Sequence, residues 1–158
     1  MTDVRLTPLD GGSLARLLEA AVADAGPLEV MPPLDGPPGW TPERRAAFLA
    51  FHRRRSLDPA TAVETTWVID VDGRAAGAAR LEAAGDVVEA GIWLGRSVRG
   101  RGVGRRAMAE LLDAARTGGA ARFVASTTAG NAAARRLLVG MGAELAVRGD
   151  DVDATLDL

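Results

Sequence analysis

The spacing of apolar and polar residues predicts alternating helical and extended segments along the chain. Residues 14–22 carry leucine, alanine and valine at helical spacing, which predicts a first helix capped by Ser13 and preceded by a short strand over 4–6. Thr41-Pro42 is typical of a helix start and predicts a second helix to about residue 55. The proline-rich residues 27–40 between the two helices predict a loop packed over the domain.

From residue 63 onward the period changes from helical to two. Asp72-Gly73 and Gly85-Asp86 are turn signals that divide residues 63–94 into a meander of three antiparallel strands. The pattern after residue 104 predicts a helix and then a buried strand over 122–126. A helix capped by Asn131 follows, and strands over 144–147 and 152–158 form a closing hairpin.

The most informative stretch lies between the meander and the helix that follows it. Residues 99–104 read Arg-Gly-Arg-Gly-Val-Gly, so a glycine-rich turn leads directly into a helix N-terminus. Such a turn presents bare backbone N–H groups, to which a phosphate or pyrophosphate can bind closely. A surface turn made soluble by arginine is the alternative interpretation.

Composition excludes several classes of function. A length of 158 residues predicts one domain spanning 1–158, and a net charge of −2 argues against a nucleic-acid or membrane-surface partner. Cysteine is absent and His52 is the only histidine, which excludes thiolate and clustered-histidine metal sites and a cysteine nucleophile. His52 itself is interpreted as a surface residue. The N-terminus has no apolar leader, which predicts a cytoplasmic protein, and the use of arginine without lysine is typical of a GC-rich bacterial genome.

Two nucleotide-binding motifs compete for the glycine-rich turn. A Walker A loop is excluded because its lysine is missing. Gly102-x-Gly104-x-x-Ala107 matches the dinucleotide fingerprint, but the strand that should end on an acidic residue ends Ala125-Ser126-Thr127. The dinucleotide interpretation is therefore the weaker one.

A different resemblance covers residues 87–145. Arg99-x-x-Gly102-x-Gly104 after a strand ending Gly91-Ile92-Trp93-Leu94 resembles the Q/R-x-x-G-x-G/A signature of the Gcn5-related N-acetyltransferase (GNAT) family. The Asn131-capped helix followed by residues 141–144, Met-Gly-Ala-Glu, is similar to that family's C-terminal region, and the G-x-W-L strand looks most like its ribosomal-protein N-terminal acetyltransferase branch. The resemblance implies an α+β fold with a mixed, mostly antiparallel sheet of six to seven strands and about four helices. It also implies a V-shaped splay between the fourth and fifth strands.

The resemblance further implies acetyl-CoA as cofactor and a primary amine, of a small molecule or a protein N-terminus, as acceptor. The pyrophosphate would lie on the amides of the glycine-rich turn and the pantetheine arm along the splayed strand, as an added strand would. The implied cofactor-binding residues are Ile92, Trp93, Leu94, Arg99, Gly100, Arg101, Gly102, Val103, Gly104, Arg105 and Asn131. The family also often forms homodimers.

Acetyl transfer needs a group that accepts the proton of the amine. Glu89 is the first candidate, because it precedes Gly91 on the strand that leads to the acetyl site and because burial would strengthen it as a base; Glu82 is the second. Pairing of Glu89 with an arginine such as Arg80 is the alternative. For the acceptor side, residues 27–40 and the second helix supply Met31, Asp35, Trp40 and Glu43.

The general acid departs from the family pattern. The positions where relatives place a tyrosine or a serine hold Leu138 and Ala134, and Ser126 or Thr127 at the end of the next strand are possible substitutes. A CoA thiolate can also leave with help from water or from a helix N-terminus. A non-catalytic or weakly active CoA-binding protein is therefore the rival interpretation.

Overall fold

The computed structural model describes residues 2–158, which form one mixed seven-stranded sheet with helices on both faces. The strands, in chain order, are β1 (Val4–Pro8), β2 (Thr65–Val71), β3 (Arg74–Ala84), β4 (Val87–Leu94), β5 (Arg122–Thr128), β6 (Glu144–Arg148) and β7 (Asp151–Asp157). Their order across the sheet is β1-β2-β3-β4-β5-β7-β6. The predicted meander is confirmed, as Asp72 and Gly73 take φ values of 50° and 81° in the tight turn between β2 and β3.

In the described part of the chain five α-helices accompany the sheet, one more than the sequence predicts. They are α1 (Gly11–Asp24), α2 (Pro27–Val30), α3 (Pro42–His52), α4 (Val103–Thr117) and α5 (Ala132–Gly140). The additional helix is α2, a single turn opened by Pro27 at its first position, inside the segment predicted to be only a loop. Helix α1 begins three residues earlier than expected, because Asp10 rather than Ser13 is its N-cap and the two residues cap each other reciprocally.

The only parallel contact in the described sheet joins β4 to β5, and it is short. Val87–Ala90 pair with Arg122–Ala125, and beyond these residues the two strands separate. Gly91–Leu94 of β4 and Ser126–Thr128 of β5 therefore line the two sides of an opening in the sheet. This divergence confirms the splay expected between the fourth and fifth strands.

Two apolar clusters hold helices on opposite faces of the sheet. On one face α1 and α3 pack against β2 and β3, with Leu17, Phe48 and Val68 fully buried. On the other face α4 buries Val103, Ala107 and Leu111 against β3 and β4, and Leu138 brings α5 into the same cluster. Because successive side chains along a strand point to opposite faces of the sheet, β2 to β4 contribute residues to both clusters. In the described part of the chain no helix is sufficiently long and apolar to span a bilayer.

An ion pair beneath the first helix fastens α1 to the sheet. Asp70 on β2 accepts hydrogen bonds from Arg16 Nη1 at 2.8 Å and from the Thr7 hydroxyl at 2.5 Å. Burial raises the pKa of Asp70, but the hydrogen bonds from Arg16 and Thr7 outweigh it, and the pKa lies below the ordinary 3.8. The carboxylate is therefore ionised at neutral pH and depends on Arg16.

We expect Arg16→Leu to lower the free energy of unfolding at pH 7 by about 1–3 kcal/mol, because a buried carboxylate loses its charged partner. The contribution of the lowered Asp70 pKa is present above 3.8 and is lost as pH falls through its folded-state pKa, so the difference from wild type should shrink in acid. Urea denaturation at a series of pH values measures both effects. Arg5→Leu, which breaks only the exposed pair with Asp3, is the matched control and should change little.

Candidate active site

The separation of β4 and β5 opens into a cavity of about 730 Å³ that continues to the N-terminus of α4. Its walls come from the ends of the two strands, the glycine-rich turn and the first turns of α5. An elongated molecule can therefore lie with one end on the turn and the other between the strands. The unpaired edge of β4 offers backbone hydrogen-bonding groups along the way.

The glycine-rich turn takes a conformation that side chains would disfavour. Gly100 and Gly102 have φ values of 73° and 78°, and Gly102 is the N-cap residue of α4. Gly104 lies in the first turn of the helix, and a Cβ there would project toward Leu94 and Ile92 at 3.6 and 3.9 Å. The absence of side chains leaves the helix N-terminus open to an anion.

Glu29 on α2 connects this turn to the rest of the site. Its carboxylate accepts hydrogen bonds from Arg96 Nη2 at 2.8 Å, from Arg99 Nη2 at 3.0 Å and from the backbone N–H of Gly26. The Gly26 N–H and the Arg99 guanidinium hold the pKa of Glu29 below its usual value. Sequence reasoning missed Glu29, because it lies in a segment whose helical turn was not predicted.

Most of the predicted cofactor-binding residues meet at this cavity. Nine of the eleven line it: Ile92, Trp93, Leu94, Arg99, Gly100, Gly102, Gly104, Arg105 and Asn131. The other two side chains lie elsewhere, since Arg101 lines a separate hollow beside Val98 and Val103 is buried in the core. Asn131 caps α5 by accepting a hydrogen bond from the Ala134 N–H at 3.0 Å.

Arg99 is not a free cation at the mouth of the cavity. Its Nε and Nη2 donate to the carbonyl oxygen of Leu94 at 3.1 and 3.0 Å, and Nη2 also reaches Glu29. The side chain thus braces the end of β4 against α2. The positive groups that line the cavity without such a bracing role are Arg105 and Arg136, the second of which sequence reasoning did not select.

A second cavity of about 350 Å³ adjoins the first on the side of α2 and α3. Gly91, Ile92 and Trp93 of β4 line both cavities, so this strand forms their common wall. Gly91 leaves room for the Arg80 side chain, because a Cβ at this position would lie 3.0 Å from Arg80 Nε. After the ligands that the family resemblance implies, we call the larger space the cofactor cavity and the smaller one the acceptor cavity.

The candidate bases Glu89 and Glu82 lie directly opposite each other on β4 and β3. The expected burial of Glu89 is wrong: its side chain is 52% exposed and accepts a hydrogen bond from Arg80 Nη2 at 2.9 Å, as the alternative interpretation proposed. Glu82 pairs with Arg55. Neither carboxylate lines the cofactor or the acceptor cavity.

A carboxylate that sequence reasoning missed lies on the wall of the acceptor cavity. The side chain of Glu64 is 1% exposed and accepts hydrogen bonds from Arg55 Nε at 3.1 Å and Arg80 Nη1 at 3.5 Å. Arg55 lies where the second helix was predicted to end. Instead a π-helical turn over Arg53–Leu57 follows α3 and directs its guanidinium toward Glu64 and Glu82.

The prediction that His52 is a surface residue is also wrong. His52 is 5% exposed, lines the acceptor cavity, and packs edge-on against Phe48 and Phe51 with ring centroids 4.6 and 5.2 Å apart. Burial lowers the pKa of His52 to about 4, so the imidazole is neutral at physiological pH. Within residues 2–158 neither of its ring nitrogens has a hydrogen-bond partner, and the same holds for the indole N–H of Trp93. The signal was available, because Phe48 and His52 are four residues apart on one helix face.

The expected lining of the acceptor side is only partly correct. Met31 lines the acceptor cavity, whereas Asp35, Trp40 and Glu43 do not. Trp40 packs against Phe48 and donates its indole N–H to the Ala25 carbonyl at 2.9 Å. The proline-rich segment thus closes the core and contributes its first turn, rather than its loop, to the site.

Leu138, Ala134, Ser126 and Thr127 all line the cofactor cavity, but the hydroxyl of Ser126 is engaged. It donates to Asp153 Oδ1 at 2.8 Å. The Arg148 guanidinium and this hydroxyl lower the pKa of Asp153 to about 2. The aliphatic side chains at 134 and 138 leave no hydroxyl at the two positions where the family resemblance implies a proton donor.

Comparison with known proteins identifies the family. The acetyltransferase (GNAT) family model matches residues 30–143, and the chain therefore belongs to the acetyltransferase (GNAT) family. The family resemblance deduced from the glycine-rich turn and the Asn131 helix is confirmed. A comparison with curated protein sequences gives no significant match.

Solved structures share the whole fold at low sequence identity. The Mycobacterium smegmatis RimJ in complex with CoA-disulfide is 20% identical, with 98% of this chain and 81% of that chain covered and a TM-score of 0.77. The Escherichia coli ribosomal-protein-S18-alanine N-acetyltransferase is 17% identical over 99% and 94% of the two chains, with a TM-score of 0.68. The Vibrio cholerae spermidine/spermine N-acetyltransferase SpeG is 15% identical over 98% and 93%, with a TM-score of 0.71. These likenesses establish the α+β acetyltransferase fold over the full length of the described chain.

The low pKa of His52 predicts a pH-dependent stability. Because the folded-state pKa of about 4 lies below the ordinary 6.5, the unfolded chain binds a proton first, and stability is lost as pH falls from 6.5 to 4. We expect the loss from this residue to reach about 3 kcal/mol. Denaturation of wild type and His52→Leu between pH 7 and pH 4 measures it, since the carboxylates titrate alike in both proteins. Curves that stay parallel over this range would contradict the buried, neutral imidazole.

Proposed function

We propose that the protein is an N-acetyltransferase that moves the acetyl group of acetyl-CoA directly to a primary amine. The observation that carries the proposal is the junction of two cavities at the splayed end of β4. One cavity runs to an open helix N-terminus, and the other adjoins it at Gly91, Ile92 and Trp93. A phosphate-bearing thioester and an amine can thus enter from different sides and meet at this strand.

The cofactor cavity suits the parts of acetyl-CoA in order. The backbone N–H groups of residues 100–104 at the start of α4 would bind the pyrophosphate, with Arg105 and Arg136 adding positive charge. The pantetheine arm, which carries two amides, would run along the free edge of β4 and pass Asn131. The acetyl carbonyl would end near Trp93 or Leu94, where a backbone N–H can polarise it.

The transfer forms one bond and breaks one bond. The amine nitrogen attacks the thioester carbonyl carbon, the C–N bond of the amide forms, and the C–S bond breaks to release the CoA thiolate. The nitrogen loses one proton and the sulfur gains one, so that the products are an acetamide and CoA thiol. No electron carrier or metal is needed for this balance.

The proton released by the nitrogen must reach a base. We retain Glu89 as the proposed acceptor, acting through water, because its exposed carboxylate is bonded to Arg80 and the Arg80 side chain lines the acceptor cavity. Glu82, held by Arg55, is the second candidate. Glu64 is bonded to two arginines and is better suited to holding Arg80 in place than to receiving a proton.

The rival function is binding of CoA or acyl-CoA without catalysis. The observation that favours it is the pair of aliphatic side chains, Ala134 and Leu138, beside the cofactor cavity. A thiolate with a pKa near that of an ordinary thiol can nevertheless depart toward water. Appearance of acetylated product with a primary amine decides between the two functions.

We expect acetyl-CoA to raise the melting temperature by several degrees, and NAD and ATP to leave it unchanged. Gly104→Glu should abolish this shift, because it places bulk and negative charge at the helix N-terminus where the pyrophosphate would bind. Gly140→Glu, at the end of α5 in open space, carries the same charge change and should keep the shift. Retained affinity in Gly104→Glu would contradict the cofactor assignment.

Glu89→Gln should lower kcat by about tenfold or more while leaving the affinity for acetyl-CoA unchanged. The reason is that the amide keeps the shape of the side chain but cannot accept the amine proton. Steady-state kinetics by thiol release, compared with Glu82→Gln and with the exposed Glu110→Gln on α4, makes the measurement. Equal turnover in all four proteins would show that the proton leaves directly to bulk water.

A single acetyltransferase domain over residues 1–158, a cytoplasmic bacterial setting and a homodimer stay predictions. Gel filtration with light scattering tests the last of these.

A further inference from the structure

The acceptor cavity is built mainly from apolar groups. Val30, Met31 and Phe51 supply one side, and Ala78 and Ile92 supply the other. With a volume of about 350 Å³, the cavity can enclose a small molecule rather than a folded chain segment. Its lining therefore favours an acceptor with an apolar body.

Every charged side chain on the cavity wall in the described chain is already paired. Glu29 is bonded to Arg96 and Arg99, and Glu64 is bonded to Arg55 and Arg80. Arg80 in turn is shared between Glu64 and Glu89. A cationic substrate would thus find no carboxylate free of an arginine, and its desolvation would not be compensated.

Within residues 2–158, two side chains have buried polar atoms without hydrogen-bond partners, and both side chains line this cavity. The His52 residue is 5% exposed. Its imidazole is neutral and therefore has one hydrogen-bond acceptor and one N–H donor, neither of which has a partner. Trp93 presents an indole N–H. Buried polar groups in folded proteins nearly always have partners, so these two indicate a ligand that supplies them.

The positions of the two groups relate them to the transfer. Trp93 lines both cavities, and His52 lines the acceptor cavity together with Gly91 and Ile92 of the same strand. A molecule that satisfies both groups is therefore held beside the strand along which the thioester would lie. This argument rests on the acetyltransferase function proposed above.

We propose that His52 and Trp93 form the acceptor-binding site, and that the acceptor is a largely apolar primary amine, bound uncharged, that also carries an oxygen. The imidazole accepts a hydrogen bond from the amine N–H and so directs the nitrogen lone pair away from itself. The indole N–H donates to the oxygen, a hydroxyl or a carbonyl. Polyamines are poor acceptors in this site, because each further ammonium group would need a free carboxylate.

A panel of three amines tests the substrate class. 2-Amino-1-phenylethanol has the apolar body, the amine and the hydroxyl; 2-phenylethylamine lacks the hydroxyl; spermidine is a flexible polycation. We expect kcat/KM for acetyl transfer to fall about tenfold or more at each step in this order. Spermidine turnover equal to or above that of the first amine would overturn the inference while leaving the acetyltransferase function intact.

Two tryptophan variants separate the indole N–H from the apolar ring. Trp93→Phe should remove the preference for the hydroxylated amine over 2-phenylethylamine, because it deletes the indole N–H and keeps an aromatic ring. Trp67→Phe changes a partly buried tryptophan that packs against the apolar cluster on the α4 face of the sheet, and it should keep the preference. A preference that survives Trp93→Phe would show that the indole N–H does not contact the acceptor.

His52 variants test the imidazole. His52→Leu should raise KM for the amines by about tenfold or more without lowering thermal stability at pH 7, and His52→Gln should recover part of the loss. A merely structural histidine would instead lower stability and leave KM unchanged. The titratable side chains of Glu29, Glu64 and Arg80 also face this cavity. Wild type and the His52 variants are therefore compared at each pH between 6 and 10, so that an effect of these groups appears in all of the proteins.

Binding of the uncharged amine predicts how activity depends on pH. The acid limb of kcat/KM should follow the pKa of the amine itself and move when a fluorinated analogue of lower basicity is used. An acid limb that stays at one pH for every amine would contradict the inference.

Calorimetric titration of 2-amino-1-phenylethanol into the CoA complex of wild type and His52→Leu decides the binding site even without turnover. Equal affinity of the two proteins, or no binding to wild type, overturns it, whereas failure to bind acetyl-CoA overturns the proposed function itself.

Discussion

The site depends on one interruption of hydrogen bonding in the sheet. β4 and β5 run parallel and pair only from Val87 to Ala90, after which each strand follows its own twist. The separated ends leave backbone groups that the sheet does not satisfy, and such groups are tolerated where water or a ligand can reach them. Both cavities, the open end of α4 and the junction at Trp93 are arranged around that gap.

Arginine holds the surroundings of the gap in place. Arg99 binds the Leu94 carbonyl and Glu29, and so ties the end of β4 to α2. On the other side Arg55 and Arg80 neutralise Glu64, Glu82 and Glu89, of which Glu82 and Glu89 lie opposite each other across the strands. Like charges in that register would repel without these partners. The pairing also removes free charge from the acceptor cavity, which leaves a neutral imidazole and an indole as its unpartnered polar groups in residues 2–158.

Much of the architecture follows from local patterns. The period of two, the Asp72-Gly73 turn and the Thr41-Pro42 helix start are short-range signals, and the structure has each of them where the pattern places it. The glycine-rich turn is equally local, because Gly100 and Gly102 need positive φ whatever surrounds them. Helix α2 was missed because one proline-initiated turn has no periodicity to detect, and the π-helical turn over Arg53–Leu57 was missed because it extends a helix end.

The sequence by itself thus determined the order of elements, the family and nine of the residues that line the cofactor cavity, since these depend on neighbours along the chain. Tertiary structure alone decided how charges pair and which polar groups are buried. Glu89 has apolar neighbours along its strand, which favoured burial, yet its side chain lies at the surface and binds Arg80 of the adjacent strand. His52 sits in an arginine-rich stretch, yet the packing of α3 on the sheet buries it. Burial and ion pairing are properties of residues distant in sequence, and no local pattern carries that information.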